Sequence, residues 1–341
     1  MEALRYYGPG ILRLESIPSP SLSPGEVLVR VKACGVCATD AKTYVRGHPK
    51  IQPPAVLGHE VTGIIEDAPS DSSWSAGDCV AIAPYVPCGH CHYCLKARYT
   101  NCENLYETAL HPGGFCEFVR LPTPLVEKGV YLLPDNVGFA EGTLLEPIAC
   151  CYHGLEALGV GKDDSLLIIG DGPMGILQAE IARSLQAKPI ISGMSPERLR
   201  RGKEAAESVI DVRRQDLSES IDHLTSGRGV DKVVVSVGDI RAAEQSIPVV
   251  SSGGAINFFA GLPRGSQLAL DVAWLHYEQV HLLGTFGFAP AHFSWAVEAV
   301  ANGRLNLDGL ITRQVSMGEL EGALLDVVNY KGLKTVMAIE E

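Results

Sequence analysis

The sequence predicts an α/β protein: a doubly wound parallel sheet accompanied by a second domain rich in β-structure. Three observations carry the prediction. The chain has 341 residues, about twice the common domain size of roughly 150. From Asp164 onward, apolar strands alternate with helical stretches, the pattern of βαβ units. Eight of the ten cysteines lie between Cys34 and Cys116, the others are Cys150 and Cys151, and none follows. The two halves therefore differ in kind.

In the first half, Val27 to Val31 is short, β-branched and alternating, and Val56 to Glu66 is similar, with Gly and Pro punctuating throughout. That texture predicts short strands and loops. In the second half the elements run in order as strand Ser165 to Ile169, helix Met174 to Gln186, strand Pro189 to Ser192, helix Pro196 to Glu207 and strand Asp231 to Val237. Beyond Gly284, His292 to Asn302 reads as a helix and Lys334 to Ile339 as a strand.

Hydrophobic residues make up 46% and charged residues 20% of the chain, the usage of a folded globular protein. Its formal charge of −12 lacks the basic field that nucleic acid or an anionic membrane surface attracts. The charge-free stretches Ser246 to Pro263 and Gln279 to Val297 are broken by Gly, Pro and His. They read as buried strands joined by loops rather than membrane spans. Met1 to Tyr7 carries Glu2 and Arg5 and no apolar core of an export signal, so a cytoplasmic location is expected. There the cysteines would be thiols or metal ligands.

Cys88, Cys91, Cys94 and Cys102 have the spacing C-x2-C-x2-C-x7-C. Four thiolates so close in a polar, loop-like stretch can close a tetrahedron around one zinc ion, and a closed thiolate shell is structural. A looser set consists of Cys37, within Cys34-Gly-Val-Cys37-Ala-Thr39-Asp40, His59 and Glu60, within Gly58-His59-Glu60, and Glu146, within Leu145-Glu146-Pro147. Mixed sulfur, nitrogen and oxygen donors from separate segments are how open catalytic zinc sites are assembled.

After the apolar strand Leu166 to Ile169 comes Gly170-Asp171-Gly172-Pro173-Met174-Gly175, followed by a helical stretch. A G-x-G-x-x-G turn between strand and helix predicts a dinucleotide site, its pyrophosphate resting on the free N–H groups of the helix start.

Taken in this order, C-G-V-C-x-T-D, G-H-E, the four-cysteine run and the glycine turn resemble the zinc-containing medium-chain dehydrogenase/reductases of the alcohol dehydrogenase superfamily, over essentially the whole chain. Glu146-Pro-Ile-Ala-Cys-Cys151 is similar to the branch containing sorbitol and threonine dehydrogenases, and Gly113-Gly-Phe-Cys-Glu-Phe118 resembles another family segment. The resemblance implies a discontinuous, GroES-like catalytic domain over residues 1–147 and 284–341. A Rossmann domain over 148–283 would lie between them, with the active site in the cleft. It further implies a catalytic zinc held by Cys37 and His59, with Glu60 a direct or nearby ligand and Glu146 completing the shell directly or through water. Thr39 would hold the substrate hydroxyl. With the zinc of the four-cysteine run, that makes two zinc ions per chain.

The resemblance implies cofactor contacts from Gly170, Gly172, Pro173, Met174 and Gly175. It also aligns Gly193, in Ile191-Ser-Gly193-Met-Ser195, with the position where NAD enzymes place an acid against the ribose. A strand end lacking that carboxylate, with Ser195, Arg198, Arg200 and Arg201 nearby, favours NADP over NAD. Lys42 stands where family members often carry a relay histidine. It would shuttle the proton, bind an anionic substrate or cofactor phosphate, or simply be solvated. Thr285-Phe-Gly-Phe288 lacks the arginine that sorbitol dehydrogenases carry there. Pro69 and Ala97 replace family glycines. By resemblance, Tyr44, Phe115, Phe286 and Phe288 are candidate pocket walls.

The expected function is reversible oxidation of a secondary alcohol or polyol to a ketone with NAD(P), in a homo-oligomer, tetramer or dimer, acting on a small molecule. Two other readings stay open. One is a non-catalytic NADPH-binding regulator; the other is a zinc-independent quinone or enone reductase, which would need neither cysteine group.

Overall fold

The computed structural model describes residues 1–339 and divides into two compact units. One comprises Met1–Ala149, Phe288–Gly303 and residues from Leu307 onward; the other comprises Cys150–Gly287 with Arg304–Asn306.

The first unit is built on a seven-stranded sheet. Its strands follow the order Ile311–Val315, Lys334–Ala338, Val27–Val36, Glu60–Asp67, Cys79–Ile82 and Val130–Leu132, and Phe118–Leu121 also pairs with Val27–Val36. Val27–Val36 alternates buried and half-buried residues through Lys32, then is buried on both faces from Ala33 to Val36. The pairs Gly35 with Glu60, Gly35 with Val336 and Val36 with Thr335 run across three strands. This register brings Lys334 level with the Cys37 end of the central strand.

The segment expected as one strand from Val56 to Glu66 is two, Ala55–Val56 and Glu60–Asp67. The break comes from Gly58, whose φ of +89° is left-handed, a conformation costly for other residues. A side chain there would also strike Phe115 and Cys34 Sγ. Gly114 and Phe115 donate their N–H groups to the carbonyls of Gly58 and Leu57, so the segments Leu57-Gly58 and Gly114-Phe115 pack backbone to backbone.

The second unit is a six-stranded parallel sheet in the order Ser208–Asp211, Lys188–Gly193, Ser165–Ile169, Val230–Val235, Val250–Phe258, His281–Gly284. The first strand in the chain is central and the order reverses beside it, as in a doubly wound sheet. All five residues of Ser165–Ile169 are buried, the mark of a strand covered on both faces. Helices Pro173–Ser184 and Pro196–Ala205 follow the first two strands. The helix expected over His292 to Asn302 is present as Pro290–Ala301, so the charge-free stretch from Gln279 to Val297, read as strands and loops, ends in this helix. Pro290, preset for the first helical position, starts it. Among the described residues, no helix is long and apolar enough to cross a membrane.

Candidate active site

Cys37 lies at the N-cap of the helix Ala38–Arg46, where its sulfur accepts the Thr39 N–H at 3.4 Å. Asp40 completes a capping box by accepting the Cys37 N–H at 3.1 Å. Its other oxygen accepts the Gly58 N–H at 3.1 Å and lies 3.4 Å from His59 Nδ1. One buried carboxylate thus ties two sequence-distant ligands together. With Nδ1 facing Asp40, Nε2 is the nitrogen left to face a metal.

The donor atoms of Cys37, His59 and Glu60 lie within 4.8 Å of one another. Glu60 is buried, and Gly35 makes room for it, since a Cβ at 35 would overlap Glu60 Oε2. This gives the glycine of C-G-V-C a physical reason. Cys34 is not part of the group; it is fully buried against Gly58 and Gly114, and burial pushes its thiol pKa well up.

Lys334, which no sequence signal pointed to, is buried and forms an ion pair with Glu60. Burial alone would lower its pKa, but Glu60, Cys37 and Glu146 together hold it above the ordinary lysine value. Glu146, buried near the start of helix Leu145–Ala157, is felt by this ammonium yet stands outside the group of close donor atoms. Glu146, expected to ligate directly or through water, contributes neither carboxylate oxygen to the close donor group.

Burial pushes the Asp40 pKa up, but His59 and the N–H groups of Cys37 and Gly58 outweigh it, and the carboxyl titrates below its usual range. Burial would likewise lower His59, but Asp40 and Cys37 raise it well above the usual value. A site that so favours a proton on imidazole is strongly electronegative. The carboxylates of Asp40, Glu60 and Glu146 outnumber the one lysine among them, Lys334, whose ammonium pairs with the buried Glu60 Oε2. The donor set and the charge imbalance both fit a divalent cation.

We expect Lys334→Met to leave Glu60 as an uncompensated buried charge, destabilising metal-free protein by about 3–5 kcal/mol. Added zinc should recover most of that loss. Thermal denaturation with and without EDTA reads this directly, and equal destabilisation in both conditions would refute it.

Thr39 is exposed on the first helical turn beside Cys37. Lys42 is exposed one turn on and joins no ion pair among the described residues. Tyr44 and Phe115, offered as pocket walls, are core: Tyr44 donates to Glu321, and Phe115 packs on Gly58. Phe288 is buried against Tyr85, while Phe286 is exposed.

The four sulfurs of Cys88, Cys91, Cys94 and Cys102 also lie within 4.8 Å of one another, with Cys88 to Cys94 and Cys91 to Cys102 both at 3.9 Å. Sulfurs placed about 2.3 Å from a common centre in a tetrahedron stand about 3.8 Å apart. Backbone N–H groups of Cys94 and Glu103 pull the Cys91 thiol down to about 6, towards the thiolate that a metal needs.

In the second unit, the turn after Ser165–Ile169 has Gly170 at φ +134° and Gly172 as N-cap, with Pro173 at the first helical position. A Cβ at Gly175 would overlap the Gly170 carbonyl, so the third glycine sets the close approach of helix to strand. Gly170, Gly172, Pro173 and Met174 are half-buried along the rim. Arg198 reaches this turn, its Nη1 4.0 Å from where a Cβ of Gly172 would lie. Arg201 faces elsewhere, buried 3.3 Å from Glu180.

At the end of strand Lys188–Gly193 stands an arrangement that sequence reasoning missed. Asp171, an unconstrained position of the glycine motif, accepts the N–H groups of Met194 at 2.9 Å and Ser195 at 2.7 Å. Gly193 carries no side chain there, yet the place is not without a carboxylate. The Ser195 hydroxyl is engaged as N-cap of the next helix, accepting the Arg198 N–H.

Residues 23–135 match the family described as the alcohol dehydrogenase GroES-like domain, and residues 173–302 the family described as zinc-binding dehydrogenase. The chain is 29% identical to sorbitol dehydrogenase of Bacillus subtilis strain 168, over 94% of this chain and 91% of that one. It is 31% identical to the protein named "Probable D-xylulose reductase A" of Neosartorya fischeri, over 96% and 93% of the two chains. Among solved structures, a Sinorhizobium meliloti 1021 protein bound to NADP superposes with TM-score 0.92 at 28% identity, covering 99% of each chain.

Proposed function

Because the chain belongs to the zinc-containing medium-chain dehydrogenases of the alcohol dehydrogenase superfamily, we propose that it oxidises a secondary alcohol or polyol to a ketone, reversibly, with a nicotinamide dinucleotide as hydride partner. The observation that carries this reading is the convergence of Cys37, His59 and Glu60 donor atoms within 4.8 Å, beside an exposed threonine and in a chain that also holds a glycine turn suited to pyrophosphate. Sorbitol and xylulose, in the names of the relatives, set the substrate class: a small polyhydroxylated carbon chain.

A zinc ion held by Cys37, His59 and Glu60 would supply Lewis-acid polarisation of the substrate oxygen. Asp40 keeps His59 oriented for that role. Lys334 restrains the Glu60 carboxylate, balancing its charge when no other cation does. Thr39, on the first turn of the helix capped by Cys37, is the hydroxyl positioned to take a hydrogen bond from the substrate alcohol and pass its proton outward. The four-cysteine lobe would hold the second zinc, whose closed shell leaves no place for substrate. In this reading residues 1–147 and 284–341 carry the metals and residues 148–283 the dinucleotide, in a cytoplasmic dimer or tetramer.

The test is elemental analysis of protein purified without chelator, alongside turnover of secondary alcohols and polyols with NAD and NADP. Two zinc ions per chain and polyol-dependent reduction of the dinucleotide are expected. Absence of zinc together with reduction of quinones or enones would overturn the proposal.

A further inference from the structure

We propose that Asp171 reads the adenosine ribose of the dinucleotide and, by its charge, selects NAD over NADP. The proposal rests on the dinucleotide-binding reading above and deepens it.

In an NAD site of this fold, a carboxylate at the end of the second strand accepts hydrogen bonds from the ribose hydroxyls. Here that strand end is Gly193. Taken alone, the glycine looks like a lost acid. The structure gives it a different meaning, because a Cβ at 193 would overlap the Asp171 carboxylate. Gly193 is the clearance that admits Asp171. The acid arrives from the glycine turn instead of from the strand, and covers the place where a strand-end side chain would begin.

Two consequences follow from its hydrogen bonds. Oδ2 accepts both backbone N–H groups that open at this strand end, Met194 at 2.9 Å and Ser195 at 2.7 Å. A 2′-phosphate would therefore meet a carboxylate whose N–H donors are already engaged, and like charges at such range repel. Among the described residues Oδ1 accepts no hydrogen bond, and Asp171 is only half-buried. That oxygen is the acceptor a ribose hydroxyl requires.

Of the basic groups near this strand end, Arg213 feels the charge of Asp171 but is committed to another carboxylate. Arg213 is held in a two-pronged pair by Asp211, at 3.0 and 2.8 Å. Arg201 is buried on Glu180. Arg198 reaches towards Gly172, at the helix start where the pyrophosphate of either dinucleotide would sit. The Sinorhizobium meliloti protein was solved with NADP, so likeness of fold does not settle the choice.

The experiment is fluorescence titration of the zinc-replete full-length protein with NADH and with NADPH. Wild type is expected to bind NADH at least about tenfold more tightly, the worth of a hydrogen bond to a charged group. Asp171→Asn should weaken NADH and strengthen NADPH, bringing their ratio to one or below. The double variant Asp171→Ala/Gly193→Asp returns a carboxylate from the strand and should restore the NADH preference. Tighter or equal binding of NADPH by wild type overturns the inference and leaves the proposed function standing. A parallel loss of both dinucleotides in Asp171→Asn, with no recovery of selectivity in the double variant, also overturns it by showing a merely structural carboxylate. Should wild type bind neither, the dinucleotide reading itself falls, and the inference with it.

Discussion

Cys91→Ser is expected to lower the melting temperature by about 10 °C, while Cys37→Ser leaves it within a few degrees of wild type and removes turnover. The contrast follows from what each sulfur packs against. The buried cluster of the lobe is Cys91, Cys94, Cys102 and Leu105, joined by Tyr85, Cys88 and Tyr93. Most of that core is the ligand set itself. Without a metal there is little apolar surface to keep those thiols together, and structural zinc contributes folding free energy outright. A loss of several kcal/mol in a chain of this size corresponds to a shift of about 10 °C. Cys37, by contrast, caps a helix that also packs Tyr44 and Ala41 into the main core, so its fold does not depend on metal. Its loss should cut kcat by about a thousandfold or more, because Lewis-acid stabilisation is worth several kcal/mol. Each variant should lose one zinc per chain by elemental analysis. Normal turnover with a large drop in melting temperature in Cys37→Ser would invert the roles and defeat the assignment.

Asp40→Asn is the second large effect. Its carboxylate receives the N–H groups of Cys37 and Gly58 and faces His59 Nδ1. The amide keeps an acceptor but loses the charge, and presents two donors where three donors already point. Zinc affinity is expected to fall by about 10- to 100-fold, the usual effect of removing a group that orients a ligating histidine. Turnover at limiting zinc should fall with it and recover as zinc is raised. Competition with a chromophoric chelator measures the affinity, and an unchanged affinity would mean that Asp40 only caps the helix. Asp40→Ala should be worse in a distinguishable way. It leaves buried donors without partners, at about 1–3 kcal/mol each, and so reduces thermal stability even at saturating zinc.

The parts of this site that the sequence announces are those whose chemistry is local. Four cysteines in fifteen residues and a glycine turn between strand and helix declare themselves because ligand spacing and phosphate cradling are short-range constraints. Cys37, His59 and Glu60 were legible through the resemblance, not through spacing, since separate segments supply them. Lys334 was not legible at all. It opens a short strand of ordinary pattern, Lys334–Ala338, and only sheet register brings it to Glu60. Asp171 was hidden differently: its motif position tolerates any residue, and its significance appears only with the missing side chain at Gly193. Asp40 did leave a signal, an acid three residues after a helix-capping position, though a cysteine cap makes that pattern easy to pass over. The division of Val56 to Glu66 into two strands was concealed because apolar alternation continues on either side of Gly58.

The pairing of Glu60 with Lys334 also orders events in time. A chain made from its N-terminus presents Cys37, His59 and Glu60 early, and the strand bearing Lys334 comes last among those described. Domains fold as they emerge, but this sheet waits for a strand that enters beside its central member at the end. Until that strand pairs, Glu60 lacks the ammonium that balances its charge in the folded sheet. The strand that completes the pairing of this sheet therefore also completes the electrostatics of the site.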